Sequence, residues 1–224
     1  MSPLHSKNIT KTFGGFSQSF EDKILYKLVP KVAKIFNADA LSLIALLGAI
    51  WTSLWIYLSD RNLLLLPVSL FGLAMHWFGD GLDGKVAAYK KESRPRYGYY
   101  MDRMLDTISL SIIFLSAHFS SLTLTNTWLY LTIVVLIIAV HIYLKASVTR
   151  VYEMYISRFG GLELKIFGVV TISLLVLSGN PTLSVFWYSI KLMDAIGIVV
   201  LVAGLVTFIN LVSGSLAGKK KIRG

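Results

Sequence analysis

The sequence predicts an all-α integral membrane protein, with six transmembrane helices preceded by an amphipathic helix at the membrane interface. The 224 residues are 55% hydrophobic and only 15% charged, and the mean hydropathy is +0.66, well above that of an ordinary soluble domain. The apolar residues also fall in runs of about 17 or more, the length that crosses hydrocarbon as a helix. We therefore expect residues 1–224 to form a single membrane domain.

Six apolar segments carry the predicted spans. They are residues 41–58, 63–79, 101–119, 128–144, 166–177 and 195–212. The fifth is short, and it reaches spanning length only if it begins near Gly161 and runs past Gly179, with Glu163 and Lys165 at its polar end.

Basic residues predict the orientation of these spans. Twenty of the 22 Lys and Arg residues fall on one side of the predicted membrane, and only Arg61 and Lys191 fall on the other. By the positive-inside rule, we expect a multi-pass protein with both termini and the two basic loops in the cytoplasm. Because these cations adjoin membrane spans, topology and lipid headgroups explain the net charge of +10 better than nucleic-acid binding.

Residues 20–36, ahead of the first span, have the pattern of an interfacial amphipathic helix. Four lysines alternate there with apolar residues at helical spacing: Lys23, Lys27, Lys31 and Lys34 against Ile24, Leu25, Leu28, Val32 and Ile35. Pro30 should bend or interrupt this helix.

Four aspartates form the most informative cluster in the sequence. Asp80 and Asp83 follow the second apolar run at i, i+3 spacing, and Asp102 and Asp106 begin the third at i, i+4 spacing, so each pair shares a helix face. A helical hairpin would bring all four to the cytoplasmic boundary of the membrane. Four adjacent carboxylates repel one another unless cations bind them, and oxygen ligands favour Mg²⁺ or Mn²⁺. The chain has no cysteine to offer a thiolate ligand.

Small residues flank the aspartates. Gly84 and Ala87 lie one turn beyond the first two, and Gly98 lies one turn before the third. We expect them to leave an open strip that a bulky substrate can approach.

The spacing resembles the signature of the CDP-alcohol phosphotransferases, D-x-x-D-G-x-x-A-R, eight or nine residues, then G-x-x-x-D-x-x-x-D. Seven of its eight specified positions match within residues 80–106: Asp80, Asp83, Gly84, Ala87, Gly98, Asp102 and Asp106. The departure is Ala88, where the family carries an arginine that contacts the nucleotide pyrophosphate. Lys85 and Lys91, each about one turn from Ala88, are the candidates to supply that cation.

The resemblance implies an enzyme of phospholipid biosynthesis that moves a substituted phosphate from a CDP-linked donor to an alcohol and releases CMP. It implies two divalent ions, Mg²⁺ or Mn²⁺, held by the four aspartates, with Asp106 also acting as general base, and it implies a homodimer. One substrate is a lipid. Family frequency favours CDP-diacylglycerol as donor, and the alternative is CDP-choline or CDP-ethanolamine with diacylglycerol, whose enzymes carry a Gly-Pro-Thr-Glu stretch that residues 160–163 loosely resemble.

Other residues admit two interpretations. Lys145, Arg150 and Glu163 are candidates to bind the acceptor, although the two cations also serve as topology determinants. His76, one turn before Asp80, either orients that carboxylate or is a structural hydrogen-bonding group.

Two functions of other classes compete with the transferase. A cation transporter would also carry intramembrane carboxylates, but it would be expected to hold them near the midplane, commonly within repeated broken helices. A catalytically lapsed partner subunit would explain Ala88.

Overall fold

The computed structural model describes residues 18–149, 161–185 and 187–217. Within these ranges the chain forms seven α-helices, one 3-10 helix and one β-hairpin. The elements are α1 (Gln18–Val32), α2 (Ala38–Leu58), the 3-10 helix (Leu63–Val68), α3 (Ser69–Tyr89), α4 (Pro95–His118), α5 (Thr127–Thr149), α6 (Gly161–Ser178), β1 (Thr182–Val185), β2 (Tyr188–Lys191) and α7 (Leu192–Ala217). The prediction of an all-α protein is confirmed apart from the short hairpin.

Four of the described segments are long and apolar enough to cross a membrane. They are Ala38–Leu58, Leu63–Tyr89, Thr127–Thr149 and Leu192–Ser215. The helix α4 falls outside this set because its first half carries Asp102, Arg103 and Asp106. These four helices confirm the prediction of a membrane protein, but not the predicted number of six spans.

Glycines allow α2 and α3 to pack with their backbones in contact. A Cβ added at Gly72 would lie 2.5 Å from the carbonyl oxygen of Gly48, and one at Gly79 would lie 2.4 Å from that of Leu41. Any larger residue would force the helices apart. The close approach at Gly79 places the neighbouring Asp80 beside the start of α2. The helix α2 also packs against α4.

The helix α1 packs against the end of α3 that carries the aspartates. Leu25 and Val29 are buried in one apolar cluster with Leu82 and Val86. Indole Nε1 of Trp77 donates a 2.7 Å hydrogen bond to Oε1 of Glu21. The apolar stripe predicted for residues 20–36 therefore lies partly on protein. The helix itself ends at Val32, two residues after Pro30.

The connection from α3 to α4 turns sharply. Lys91 has a left-handed φ of 61°, and the amides of Lys91 and Glu92 donate to the carbonyls of Ala88 and Ala87, which is the Schellman pattern of a helix end.

Arg94, just before α4, ties this connection to the start of α2. Its guanidinium lies 2.7 Å and 2.9 Å from the two carboxylate oxygens of Asp39. Hydrogen bonding to Asp39, together with its negative charge, raises the pKa of Arg94 above its usual value.

At the opposite end of the bundle, one buried carboxylate links the connection between α4 and α5 to the end of β2. Asp194 is fully buried and accepts hydrogen bonds from the amides of Leu124, Thr125 and Lys191 and from the Thr125 hydroxyl. Asn180 adds bonds to the Leu122 carbonyl and the Met193 amide. These contacts hold the β-hairpin against the connection between α4 and α5.

Candidate active site

Three of the four predicted aspartates meet between α3 and α4. Asp80 on α3 and Asp102 and Asp106 on α4 each offer one carboxylate oxygen, and these three oxygens lie within 4.8 Å of one another. The i, i+4 spacing puts the two α4 carboxylates on one helix face, and the close packing at Gly79 sets Asp80 opposite them.

The fourth aspartate, Asp83, lines the same pocket but is held towards α2. Its Oδ2 accepts a 2.7 Å hydrogen bond from the Ser42 hydroxyl, and its Oδ1 accepts one of 2.6 Å from the Gly84 amide. The structure thus brings all four aspartates to one pocket, with three of them in the tighter group.

Two basic side chains reach into this group of carboxylates. Nζ of Lys165, on α6, lies 2.6 Å from Oδ2 of Asp80. The Arg103 guanidinium lies 3.6 Å from Asp102 and 3.7 Å from Asp106. From the sequence, Arg103 was one of four cations, with Lys85, Arg94 and Arg96, that could pair with the aspartates if these were only charges at helix ends, whereas Lys165 was given no place in the site. For Lys165 the available signal was a charged residue inside an otherwise apolar helix, which is costly unless it is paired.

Two buried polar atoms without partners among the described residues also line the pocket. His76 lies one turn before Asp80 on α3, and Ser109 lies three residues after Asp106 on α4; both line the pocket with the aspartates. His76 Nδ1 and Ser109 Oγ are buried and have no hydrogen-bond partner among the described residues. Buried polar atoms normally have partners, so a water molecule or a polar ligand in the pocket would satisfy these two.

The residues of the pocket fit a divalent cation of the Mg²⁺ or Mn²⁺ type. The converging carboxylates supply hard oxygen ligands, which these ions prefer. Without a cation, carboxylates this close together repel one another. Asp80, Asp102 and Asp106 would be the nearest ligands, with Asp83 beside them.

The glycines of the signature face open space. A Cβ added at Gly84 or Gly98 would have no heavy atom within 4 Å in the described part of the chain. Ala87 is half-buried, and Ala88 is exposed at the end of α3.

The two candidate lysines near Ala88 differ in their surroundings. Nζ of Lys85 lies 3.1 Å from Asp22 on α1 and donates to the Gly81 carbonyl. Lys91 is exposed at the left-handed helix end.

Two of the candidate acceptor residues are described by the structure. Lys145 near the end of α5 and Glu163 in the first turn of α6 are half-buried, and neither lines the pocket. Arg150 lies outside the described residues.

Comparison with protein families identifies a relationship. The model of a family described as CDP-alcohol phosphatidyltransferase matches residues 35–212. This range contains α2 to α6 and most of α7, and all four aspartates. No curated protein matches the chain significantly.

Proposed function

The chain belongs to the CDP-alcohol phosphatidyltransferase family, and we propose that it transfers a substituted phosphate from CDP-diacylglycerol to a small alcohol, releasing CMP. The observation that carries this proposal is the convergence of Asp80, Asp102 and Asp106 in one pocket, at the spacing of the family signature.

The proposed reaction is an in-line displacement at phosphorus. The acceptor hydroxyl gives its proton to the Asp106 carboxylate, and its oxygen forms a bond to the phosphorus that bears the diacylglycerol. The bond from that phosphorus to the CMP phosphate oxygen breaks, and CMP leaves with the electron pair. Two divalent ions held by the aspartates would stabilise the entering and leaving oxygens.

The other residues of the site bind the ions and the substrates in this proposal. Asp80, Asp83 and Asp102 would hold the ions with Asp106, and Ser42 keeps Asp83 oriented through its 2.7 Å hydrogen bond. The open space at Gly84 and Gly98 leaves room for the donor, beside Ala87. Lys85 and Lys91 remain the candidates to offer the donor pyrophosphate a cation in place of an arginine at position 88. Lys145, Arg150 and Glu163 remain the proposed acceptor contacts.

We also propose six spans, with α4 and α6 crossing beside the four apolar helices. The 18 residues of α6 give a helix of about 27 Å, close to the roughly 30 Å of the hydrocarbon layer. The polar first half of α4 would lie at the cytoplasmic boundary, where the lipid donor and a water-soluble acceptor can both reach the aspartates. In this arrangement α1 lies in the cytoplasmic interface, both termini are cytoplasmic, and the protein is a homodimer.

A substrate panel tests the proposal. Purified protein with Mg²⁺ or Mn²⁺ receives either CDP-diacylglycerol with small alcohols, or diacylglycerol with CDP-choline or CDP-ethanolamine, and CMP release is measured. We expect metal-dependent CMP release from the first set. Release from the second set alone would reverse the assignment of donor, and no release from any pair would favour a lapsed partner subunit.

A further inference from the structure

Lys165 contacts the aspartates, and the proposed chemistry does not explain its position. It lies in the second turn of α6, and its side chain is only 14% exposed. Its Nζ donates a 2.6 Å hydrogen bond to Oδ2 of Asp80, from a helix 85 residues further along the chain. A short contact of this kind between two charged groups is a strong hydrogen bond.

The same carboxylate belongs to the group that fits a divalent ion. An ammonium group carries positive charge and only donates hydrogen bonds, so it and a metal ion compete for the oxygens of Asp80. The two cations also repel each other if both stay at that carboxylate.

From this geometry we infer that Lys165 is the resident counter-cation of Asp80 in the metal-free protein, and that an ion binding at Asp80 takes its place. Without an ion, the ammonium neutralises a carboxylate whose side chain is only 24% exposed, where an unpaired charge is destabilising. The four-carbon stem of lysine is flexible, so the ammonium can leave Asp80 without moving α6. Lys165 is thus a positioning residue that sets how tightly the site binds metal. The inference rests on the proposed function only in placing a divalent ion at the aspartates.

Arg103 is a weaker competitor of a metal ion than Lys165, because it lies further from the carboxylate oxygens. Its guanidinium lies 3.6 Å from Asp102 and 3.7 Å from Asp106, compared with 2.6 Å for the lysine contact. It is also on the same helix as the carboxylates it approaches, and it adds positive charge beside them.

Removing the charge of Lys165 tests whether a metal ion displaces its ammonium group from Asp80. Purified wild type and Lys165→Met are titrated with Mn²⁺ by calorimetry, and each is unfolded thermally with and without saturating Mn²⁺. We expect Lys165→Met to bind Mn²⁺ at least about tenfold more tightly, because a competing and repelling cation is gone. It should melt below wild type without metal and together with wild type when saturated.

Two further variants control for charge. Lys90→Met removes one positive charge at the same end of α3, where Nζ of Lys90 donates to the Phe36 carbonyl, and should change Mn²⁺ affinity by less than about twofold since that charge is more screened. Lys165→Arg keeps the charge and should bind Mn²⁺ no more tightly than wild type.

The wild type alone provides a second measurement. Reductive methylation of Lys165, followed by mass spectrometry, should be faster with saturating Mg²⁺ than without it, because the amine no longer pairs with Asp80. This readout holds even if Lys165→Met does not fold.

Several results would overturn the inference. They are unchanged or weaker Mn²⁺ binding by Lys165→Met, a melting deficit that persists at saturating Mn²⁺, or methylation that Mg²⁺ leaves unchanged or slows. Absence of Mn²⁺ binding to the wild type would remove the metal site and this inference together. If the exchange is observed but no substrate pair releases CMP, the proposed function fails and the role of Lys165 stands.

Discussion

The Ser42 hydroxyl on α2 donates a 2.7 Å hydrogen bond to Oδ2 of Asp83 on α3, across 41 residues of sequence. The bond joins the first apolar helix to the carboxylate that lies outside the tighter group of three. Because the hydroxyl has no charge, it orients the carboxylate without repelling an ion, unlike the ammonium of Lys165.

Ser42→Ala should therefore weaken metal binding. Residues that orient metal ligands typically contribute about tenfold or more to affinity, so we expect Mn²⁺ affinity to fall by about tenfold in a calorimetric titration. Ser53→Ala is the matched control, because Ser53 is on the same helix and its hydroxyl donates only to the Ala49 carbonyl one turn earlier. Equal affinities for the two variants would show that Asp83 does not need Ser42.

Asp106→Asn should abolish turnover while the protein still folds and binds nucleotide. The amide keeps the shape of the side chain but cannot accept the hydroxyl proton, and general-base catalysis contributes about a hundredfold or more. The measurement is CMP release at saturating metal with the active substrate pair. Asp60→Asn, an isosteric change at the opposite end of the bundle, should leave the rate near that of wild type. If Asp106→Asn keeps more than about a tenth of the activity, another group is the base.

Part of this architecture could be predicted from the sequence. Long apolar runs predict α2, α3, α5 and α7, because a membrane helix needs a continuous run of such residues. The spacing of Asp80, Asp83, Asp102 and Asp106 predicts which of them share a helix face, because helix geometry is local.

Contacts between distant residues could not be predicted in this way. Lys165 and Asp80 are 85 residues apart, and Thr125 and Asp194 are 69 residues apart. Helical periodicity relates only residues a few positions apart, so it predicts neither contact. The hairpin of β1 and β2 was missed because its strands have four residues each. Strands this short show too little alternation to be distinguished from a loop.

Asp194→Asn should strongly lower the stability of the fold. The carboxylate is fully buried and accepts hydrogen bonds from three backbone amides; an asparagine would turn its own N–H donors towards some of these amides. Unsatisfied buried donors cost about 1–3 kcal/mol each, so we expect the free energy of unfolding to fall by about 3 kcal/mol. Thermal or denaturant unfolding in detergent measures this. Asp60→Asn, at an exposed carboxylate that accepts from the Ser121 amide, should cost much less, and equal losses would contradict the structural role given to Asp194.

Ala88→Arg should raise affinity for the CDP-linked donor. Position 88 is exposed at the end of α3, and the neighbouring Lys85 is paired with Asp22, so the cation that the family places here has no evident replacement in Lys85. A guanidinium forms bidentate, charge-assisted hydrogen bonds with phosphate oxygens. These bonds are worth roughly 1.5–3 kcal/mol, which corresponds to about tenfold or more in affinity. Donor binding by calorimetry in the presence of Mg²⁺ measures the change.

The neighbouring position provides the control that separates a specific contact from added charge. Tyr89→Arg places the same guanidinium one residue further along α3, about 100° around the helix, and should improve donor binding far less. If both variants gain equally, the effect is one of net charge. If neither gains and Lys85→Ala or Lys91→Ala weakens donor binding markedly, a lysine already performs the role of the missing arginine. If none of the four substitutions changes donor affinity, the pyrophosphate does not lie at this end of α3, and Ala88 marks a different substrate or lost catalysis.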